Sequence, residues 1–268
     1  MEARMTSPYR RFVTFAVIMG LVACGRGVGT SSSPSADPST GLTASPTANG
    51  TDAPEPSAGP IDILKVEEFA SLSPGTYSID PDGDPSTPVK LLFTIADPGW
   101  NQWIGAFKEE EGGRGRSVSV SITTVDNLVE HACDDHLPAE PPVGPGVVDL
   151  ANALADLRPF EVAESPTDVT IVGFDGKHLT LTVPDLPGEF RGGQMVFTDC
   201  QAEGLKSWIS PLLSFAYYGY VAPGEIEELW ILDVEGERVL IAANYHPESP
   251  AQDVAAMRGI LDSIQRRW

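Results

Sequence analysis

The sequence predicts an α+β fold in which an antiparallel β-sheet of hairpins carries helices packed on one face. Three observations lead to this class. In residues 168–184, apolar and polar side chains alternate on both sides of an aspartate followed by glycine, and residues 227–245 form a second hairpin pattern around Glu235-Gly236. Residues 147–157 and 250–264 carry apolar side chains at helical spacing. Strands and helices do not alternate regularly, which argues against a doubly wound parallel sheet.

The first elements in the folded part are expected to be strands. Residues 75–79 and 89–95 flank an acidic loop, and residues 117–125 alternate strictly. In that last stretch Val118 and Ile122 share one face, and Ser and Thr occupy the other. These patterns are typical of half-buried strands.

Two hairpins and two helices follow. The hairpins are expected to turn at Asp175-Gly176 and at Glu235-Gly236 in type I′ geometry. The first helix should end before Pro159. The second helix should begin with Ser249 as N-cap and Pro250 in the first helical position. The apolar stripes of the two helices are Val147, Leu150, Leu154 and Leu157, and then Val254, Met257, Leu261 and Ile264.

The N-terminus has the pattern of a secretion signal. Two arginines precede the apolar run 12–23, which is shorter than the roughly 20 residues that a membrane-spanning helix needs. The run ends in Leu21-Val22-Ala23-Cys24, which resembles the lipobox of bacterial lipoproteins. The resemblance implies that residues 1–23 are a signal peptide and that Cys24 is lipidated. A free thiol behind an ordinary signal peptide and a short membrane anchor remain alternatives, as do a start at Met5 and twin-arginine export.

Composition separates a tether from a folded part. Residues 24–60 begin with the lipidated cysteine and are rich in Pro, Ser and Thr, so we expect a disordered tether that cannot bury enough surface to fold. Residues 61–268 are expected to form a single folded α+β domain. The formal net charge of −21 at pH 7 excludes a nucleic acid partner, because phosphate backbones are bound through Lys and Arg. Basic partners and divalent cations are permitted by this charge.

Two cysteines, Cys133 and Cys200, remain after the anchor. In an exported domain an even pair predicts a disulfide. Cys133 also lies in "HACDDH", residues 131–136, whose side chains are metal-ligand types. We expect no metal there, since oxidation removes the thiolate and no second Cys/His cluster completes the site.

A second possible cation site is the acidic loop "DPDGDPST", residues 80–87. An EF-hand loop needs glycine at its sixth position and glutamate at its twelfth, and here Pro85 and Leu91 stand at those positions. An acidic hairpin loop is therefore the favoured interpretation, with calcium binding as an alternative.

The sequence offers no catalytic motif and implies no cofactor. His178 and His246 could belong to a site assembled from scattered residues. Aromatic residues could instead form a platform for a glycan, although core packing is their default role. The aromatic residues concerned are Trp100, Trp103, Trp208, Phe215, Tyr217, Tyr218 and Tyr220.

The segments "SPTDVTIVGFDGKHLTLTVP", "LWILDVEGERVLIAANY" and "ILDSI" resemble a family of actinobacterial exported or lipid-anchored proteins with the motifs PTDVTVdGy-GK and WILDVdGtRvvI. The resemblance spans residues 77–264 and rests on turn-and-strand motifs, so it carries no active-site residue to this chain. The terminal hairpin and helix are also similar to Mog1/PsbP-type sandwiches, an analogy of fold alone.

Together these features predict a lipoprotein on the extracytoplasmic face of the cell membrane, which acts as a non-catalytic binding or interaction module. An envelope protein or a cell-wall glycan is the expected partner, besides the membrane itself. An exported hydrolase and a calcium- or metal-responsive envelope sensor are the alternatives.

The lipobox generates a direct prediction. Cys24→Ser should release the protein from membranes into the medium, because the diacylglyceryl group has no other attachment point. Detergent-phase partitioning of the variant against wild type measures this, and unchanged partitioning would show that Cys24 is not the anchor.

Overall fold

The computed structural model describes residues 59–109, 115–134, 137–191, 194–201, 204–213, 217–219 and 222–266. Within them the chain forms mostly strands, together with two α-helices and one 3-10 turn. The helices are α1 (Val147–Asp156) and α2 (Ala251–Asp262), and the 3-10 turn is Ile63–Lys65. The strands are β1 (Ile61–Asp62), β2 (Ser71–Leu72), β3 (Gly75–Ile79), β4 (Leu91–Ile95), β5 (Trp100–Trp103), β6 (Gly105–Lys108), β7 (Val118–Thr124), β8 (Asn127–Leu128), β9 (Glu161–Ile171), β10 (Phe174–Thr182), β11 (Gly188–Arg191), β12 (Gln194–Phe197), β13 (Lys206–Ile209), β14 (Tyr217–Gly219), β15 (Ile226–Val234), β16 (Glu237–Tyr245) and β17 (Gln265–Arg266).

An eight-stranded antiparallel sheet forms the centre of the fold, in the order β2-β5-β6-β7-β16-β15-β10-β9. A four-stranded sheet, β1-β3-β4-β17, contains the first and last described strands as its two edges. In it β1 runs parallel to β3. A three-stranded sheet, β14-β13-β8, and the two-stranded ribbon β11-β12 complete the described strands.

The central sheet is buried on both faces. On β16, Val239, Ile241 and Ala243 pack with the four-stranded sheet and α2, on what we call the α2 face. Leu240 and Ala242 of the same strand pack with α1 and the three-stranded sheet, on the α1 face. Successive side chains of a strand point to opposite faces, so this one strand contributes to two separate cores.

The predicted α+β class with helices on one face of the sheet is therefore wrong. The molecule is a β-rich sandwich of antiparallel sheets, and its two helices lie on opposite faces of the central sheet. The physical reason is the nearly continuous apolar run 239–243, because a strand covered on both sides needs apolar residues at every position rather than at alternate ones.

The strands and the second hairpin follow the sequence pattern. The stretches 75–79, 89–95 and 117–125 contain β3, β4 and β7, and Val118 and Ile122 do share the α2 face. The β15–β16 hairpin turns at Glu235-Gly236, with φ of 58° and 92°, as predicted. Asp233 fixes this turn by accepting a 2.8 Å hydrogen bond from the Gly236 N–H.

The first hairpin turns at a different place. Ile171 is paired with Phe174, so the turn is Val172-Gly173, with φ of 56° and 83°, and the predicted turn at Asp175-Gly176 is wrong. Gly176 lies within β10 instead. A Cβ on Gly176 would lie 2.2 Å from the backbone oxygen of Ile231 on β15, so glycine is needed for the close approach of these two strands.

The helices begin and end close to the expected positions. Pro159 lies beyond the end of α1 at Asp156, as predicted. Ser249 does not cap α2, which is a correction. The Ser249 hydroxyl donates to the Arg116 carbonyl (2.7 Å) and accepts from the His246 N–H (3.0 Å), so it ties the start of α2 to the segment before β7. Within the described ranges, neither helix is long and apolar enough to cross a bilayer.

The position of the turn can be tested with two glycines of the same hairpin. Gly176→Ala should destabilise the protein by about 2 kcal/mol or more, because the new Cβ overpacks against β15. Gly173→Ala has open space around its Cβ and should cost about 1 kcal/mol, from the left-handed backbone alone. Urea denaturation of both variants checks this, and a larger loss for Gly173→Ala would contradict the observed register.

Candidate functional site

An open groove of about 530 Å³ lies on the α2 face, between α2 and residues of the strands β9, β15 and β16. Its floor and walls are mostly apolar, and its polar groups stand at the rim. The lining residues are Thr170, Ile171, Val172, Trp230, Ile241, Arg258, Leu261, Asp262 and Ile264. A concave, mainly apolar surface with few polar groups is the usual form of a binding site.

The groove exists because α2 covers only part of its face. Met257 and Ile260 of α2 are buried in the core above β7 and β16, whereas β9 and β10 extend beyond the helix. Trp230 on β15 stands next to Ile241 of β16 on one side and His178 of β10 on the other. The uncovered side chains of the outer strands thus form one wall of the groove and the helix forms the other.

Val172 stands at the mouth of the groove in a strained conformation. It is 39% exposed and has a φ of 56°, in the left-handed region that β-branched residues rarely adopt. This φ follows from its place as the first residue of the β9–β10 turn, and its side chain adds exposed apolar surface to the groove.

Trp230, which lines the groove, contacts the ring of His178 in a tilted arrangement. Their ring centres are 5.0 Å apart with an interplanar angle of 30°. His178 Nδ1 lies 3.7 Å from Glu164 Oε2, and in the described part of the chain the buried Nε2 has no hydrogen-bond partner. No described Ser, Thr or Cys side chain forms a hydrogen bond with this imidazole, so the contacts place His178 as a packing partner of Trp230.

A charged network closes one end of this region. Glu228 accepts hydrogen bonds from both terminal guanidinium nitrogens of Arg258 and from the Tyr245 hydroxyl, the last at 2.8 Å. Arg258 also lies over the Tyr245 ring, 5.4 Å from its centre. Burial opposes ionisation of Glu228, but the bonds from Arg258 and Tyr245 outweigh it and lower the pKa of the carboxyl. The network fixes Arg258 at the rim.

The predicted disulfide between Cys133 and Cys200 is present. His131 is exposed beside it, and Asp135 and His136 of the "HACDDH" segment lie outside the described residues. With its sulfur in a disulfide, Cys133 supplies no thiolate to a metal.

The acidic loop of residues 80–87 is organised by its own hydrogen bonds. Asp82 accepts from the Asp84 N–H (2.9 Å) and from the Thr87 hydroxyl (3.1 Å), and Asp80 pairs with Lys90. Burial is the main cause that raises the pKa of Asp80, with Lys90 acting in the opposite direction. Across the residues that the structure describes, no three His, Cys, Asp or Glu side chains converge on a point where a metal could bind.

The other candidate residues are scattered. His246 Nδ1 accepts from the Glu248 N–H (3.1 Å) in the turn before α2. Trp100 is buried in the α2-face core, and Trp208 is buried on the α1 face, where its indole N–H donates to Glu227 (3.2 Å). Trp103 is partly exposed. The predicted aromatics at 215 and 220 and the side chains at 217 and 218 lie outside the described residues.

Sequence reasoning missed the groove residues Trp230, Arg258 and Val172. The sequence does contain a signal for Trp230. It is two residues from Glu228 on β15, so its side chain lies on the same face of the strand as a charged residue. The sequence favours Asp175-Gly176 over Val172-Gly173 as the turn, because Asp-Gly is the commoner type I′ pair.

No protein-family model matches the chain, and no curated protein matches it. Among solved structures, the chain is similar to the solution structure of cyanobacterial PsbP (CyanoP) from Synechocystis sp. PCC 6803. The two share 11% sequence identity with a TM-score of 0.33, over 80% of this chain and 100% of that chain. The resemblance is structural and distant.

The Glu228 network predicts a pH dependence of stability. Folding lowers the pKa of Glu228, so its ionised carboxylate stabilises the folded state. This stabilisation is fully present above the ordinary, unfolded-state pKa of about 4.3, and it is lost as the pH falls through the lower pKa of the folded state. Glu228→Gln should therefore be less stable than wild type at pH 7, and the difference should shrink below about pH 4. Urea midpoints from pH 7 to pH 3 measure this, and a difference that is constant with pH would contradict it.

Proposed function

We propose that this protein is a non-catalytic binding module, and that the groove beside α2 takes an apolar segment of a partner protein in the cell envelope. The observation that carries the proposal is the open apolar groove, bordered by exposed Val172 and by the fixed Arg258. The described residues around it form an apolar surface with charged groups only at its rim, which suits recognition rather than bond cleavage.

The edge strand supports a protein as the occupant. β9 is the last strand of the central sheet, and Thr170 and Ile171 belong both to β9 and to the groove. An extended segment that pairs with the backbone of β9 would place alternate side chains toward the groove. Pro166 lacks an N–H group, so pairing is expected along 167–171 rather than along the whole strand.

Localisation is part of the same proposal. The lipobox at Cys24 and the tether to residue 60 would hold the module at the outer face of the cytoplasmic membrane, and we propose the same place from the resemblance of its hairpin motifs to the actinobacterial exported family. At that surface, the net charge of −21 favours basic partner segments and disfavours nucleic acid. A tethered module of this kind would be presented to partners at a distance from the bilayer.

Photo-crosslinking from the groove tests the proposal. A photoreactive residue in place of Val172 should capture one discrete protein in intact cell envelopes, and Leu261→Asp in the same chain should reduce the yield about tenfold or more, since a charge would be desolvated in the groove. Crosslinked bands on reducing gels, identified by mass spectrometry, provide the measurement.

The matched control is Val148, which is 51% exposed on α1, on the opposite face of the sheet. Val148→Asp should leave the Val172 crosslink unchanged, and a photoreactive residue at 148 should not capture the same protein. Equal loss of the crosslink with both aspartates, or turnover of a substrate that a His178 substitution abolishes, would overturn the proposed function.

A further inference from the structure

Three aromatic side chains form a second exposed surface, which we call the aromatic platform: Phe69, Trp103 and Phe107. Phe69 stacks on Trp103 with ring centres 5.5 Å apart at 21°, and meets the edge of Phe107 at 6.1 Å and 83°. Phe69 is 52% exposed, so the stack presents an open ring face to solvent. The platform lies on the α1 face, at the end of the central sheet formed by β2, β5 and β6.

Phe69 is the third residue of a tight turn, in which the Ala70 N–H donates to the Glu67 carbonyl (3.0 Å). Its φ is 63°, in the left-handed region that glycine and asparagine adopt more readily than phenylalanine. A buried glutamine also holds the turn, since the Phe69 N–H donates to Gln102 Oε1 (3.2 Å) and Gln102 Nε2 donates to the Ile63 carbonyl (3.5 Å). A phenylalanine with a 52% exposed ring is an unusual occupant of this turn position.

A row of uncharged side chains crosses the sheet through Phe107 of the platform, and its polar members are Ser71, Asn101 and Ser119. The Ser71 hydroxyl donates to Asn101 Oδ1 (3.3 Å), which leaves the Asn101 amide nitrogen and the lone pairs of the Ser71 hydroxyl for a ligand. Cross-strand pairing places Ser71 opposite Asn101, Asn101 opposite Phe107, and Phe107 opposite Ser119. Residues paired in this way share one face of the sheet, with Cβ atoms about 5 Å apart. From Ser71 to Ser119 the row crosses three strand spacings, or about 14 Å.

The inner end of the row has unsatisfied polar groups. Ser119 is opposite Asn244 of β16, which is 2% exposed, and within the described residues neither its amide nitrogen nor its amide oxygen has a hydrogen-bond partner. The fully buried Ser121 hydroxyl, two residues along β7 on the same face, is also without a partner in that part of the chain. Buried polar groups of this kind are normally satisfied, and a small internal water is the partner that such inaccessible atoms can take.

We propose that the aromatic platform and the row from Ser71 to Ser119 form a carbohydrate site for an uncharged oligosaccharide. A pyranose ring offers a flat C–H face to Phe69, and its hydroxyl groups, which both donate and accept, match the amide of Asn101 and the hydroxyls of Ser71 and Ser119. The row contains no charged side chain, and the net charge of −21 repels anionic glycans, nucleic acid and anionic lipid.

Titration calorimetry of the full chain with chitotetraose, a neutral tetramer of N-acetylglucosamine, tests the site. Cellotetraose serves as a second neutral probe, a tetragalacturonate as an anionic one, and phosphatidylglycerol vesicles as a lipid surface. We expect saturable binding of a neutral tetramer with a dissociation constant of about 1 mM or tighter, and none of the anionic probes.

Variants distinguish the loss of the aromatic ring from a loss of folding stability. Phe69→Asn removes the ring but suits the left-handed backbone, so it should weaken sugar binding at least about tenfold while the urea midpoint stays equal or rises. Phe69→Trp keeps a ring and should retain binding. Asn101→Ala should weaken binding several-fold, whereas Trp230→Ala, in the groove on the other face, should leave it unchanged.

The outcomes are decisive in both directions. No saturable binding of either neutral tetramer at about 10 mM, or an affinity that Phe69→Asn leaves unchanged, would overturn the proposal. Binding of vesicles or of tetragalacturonate that depends on Phe69 would do the same and would assign the platform another occupant. Neither result bears on the groove, because the crosslink from Val172 is measured independently.

Discussion

Two-sided burial of the central sheet is the constraint on which the remaining structure depends. Residues 239–244 of β16 are all buried, and their side chains alternate between two cores. Covering one face would leave half of this strand in water, so each face needs its own layer: α2 with the four-stranded sheet on one side, α1 with the three-stranded sheet on the other. Arg238 joins the α1 side by donating hydrogen bonds to the carbonyls of Val125, Gly144 and Gly146, which hold the start of α1 beside the hairpin.

Both proposed surfaces occur where this covering is incomplete. The groove lies beyond the edge of α2 at the β9 end, and the aromatic platform lies on the other face at the β2 end. Each contains a non-glycine residue with positive φ, Val172 or Phe69, that is also a large exposed apolar side chain. A local turn accounts for the backbone of both residues. Val172 begins the β9–β10 hairpin turn as Glu235 begins the β15–β16 turn. Phe69 lies in the turn from Glu67 to Ala70. The two surfaces therefore share an exposed apolar side chain that is presented by a turn.

Local elements could be predicted from the sequence, but their arrangement could not. The strand at 117–125, the Glu235-Gly236 turn and the helix before Pro159 all depend on neighbours in sequence, and these predictions are confirmed. The half-buried character expected at 117–125 is wrong, because Ser121 and Thr123 on the polar side of β7 are also buried. The position of each helix depends on which face of the central sheet its apolar stripe packs against. The groove depends on where α2 ends relative to β9. Neither is encoded in one local stretch of sequence. Ser249 shows the same limit, because its hydroxyl bonds to Arg116, which is distant in sequence. The apolar run in β16 did contain the decisive signal for two-sided burial.

The first and last described strands belong to one small sheet, and this sets the order in which the molecule can fold. The core beneath the four-stranded sheet joins β3 and β4, near the start of the described chain, to Met257 and Ile260 near its end. The Thr94 N–H donates to the Ser263 hydroxyl across a sequence separation of 169 residues. A chain made from its N-terminus therefore exposes the apolar side of β3 and β4 until α2 has been synthesised, and closure of such distant contacts is slow. This half of the protein needs protection from aggregation for the longest time.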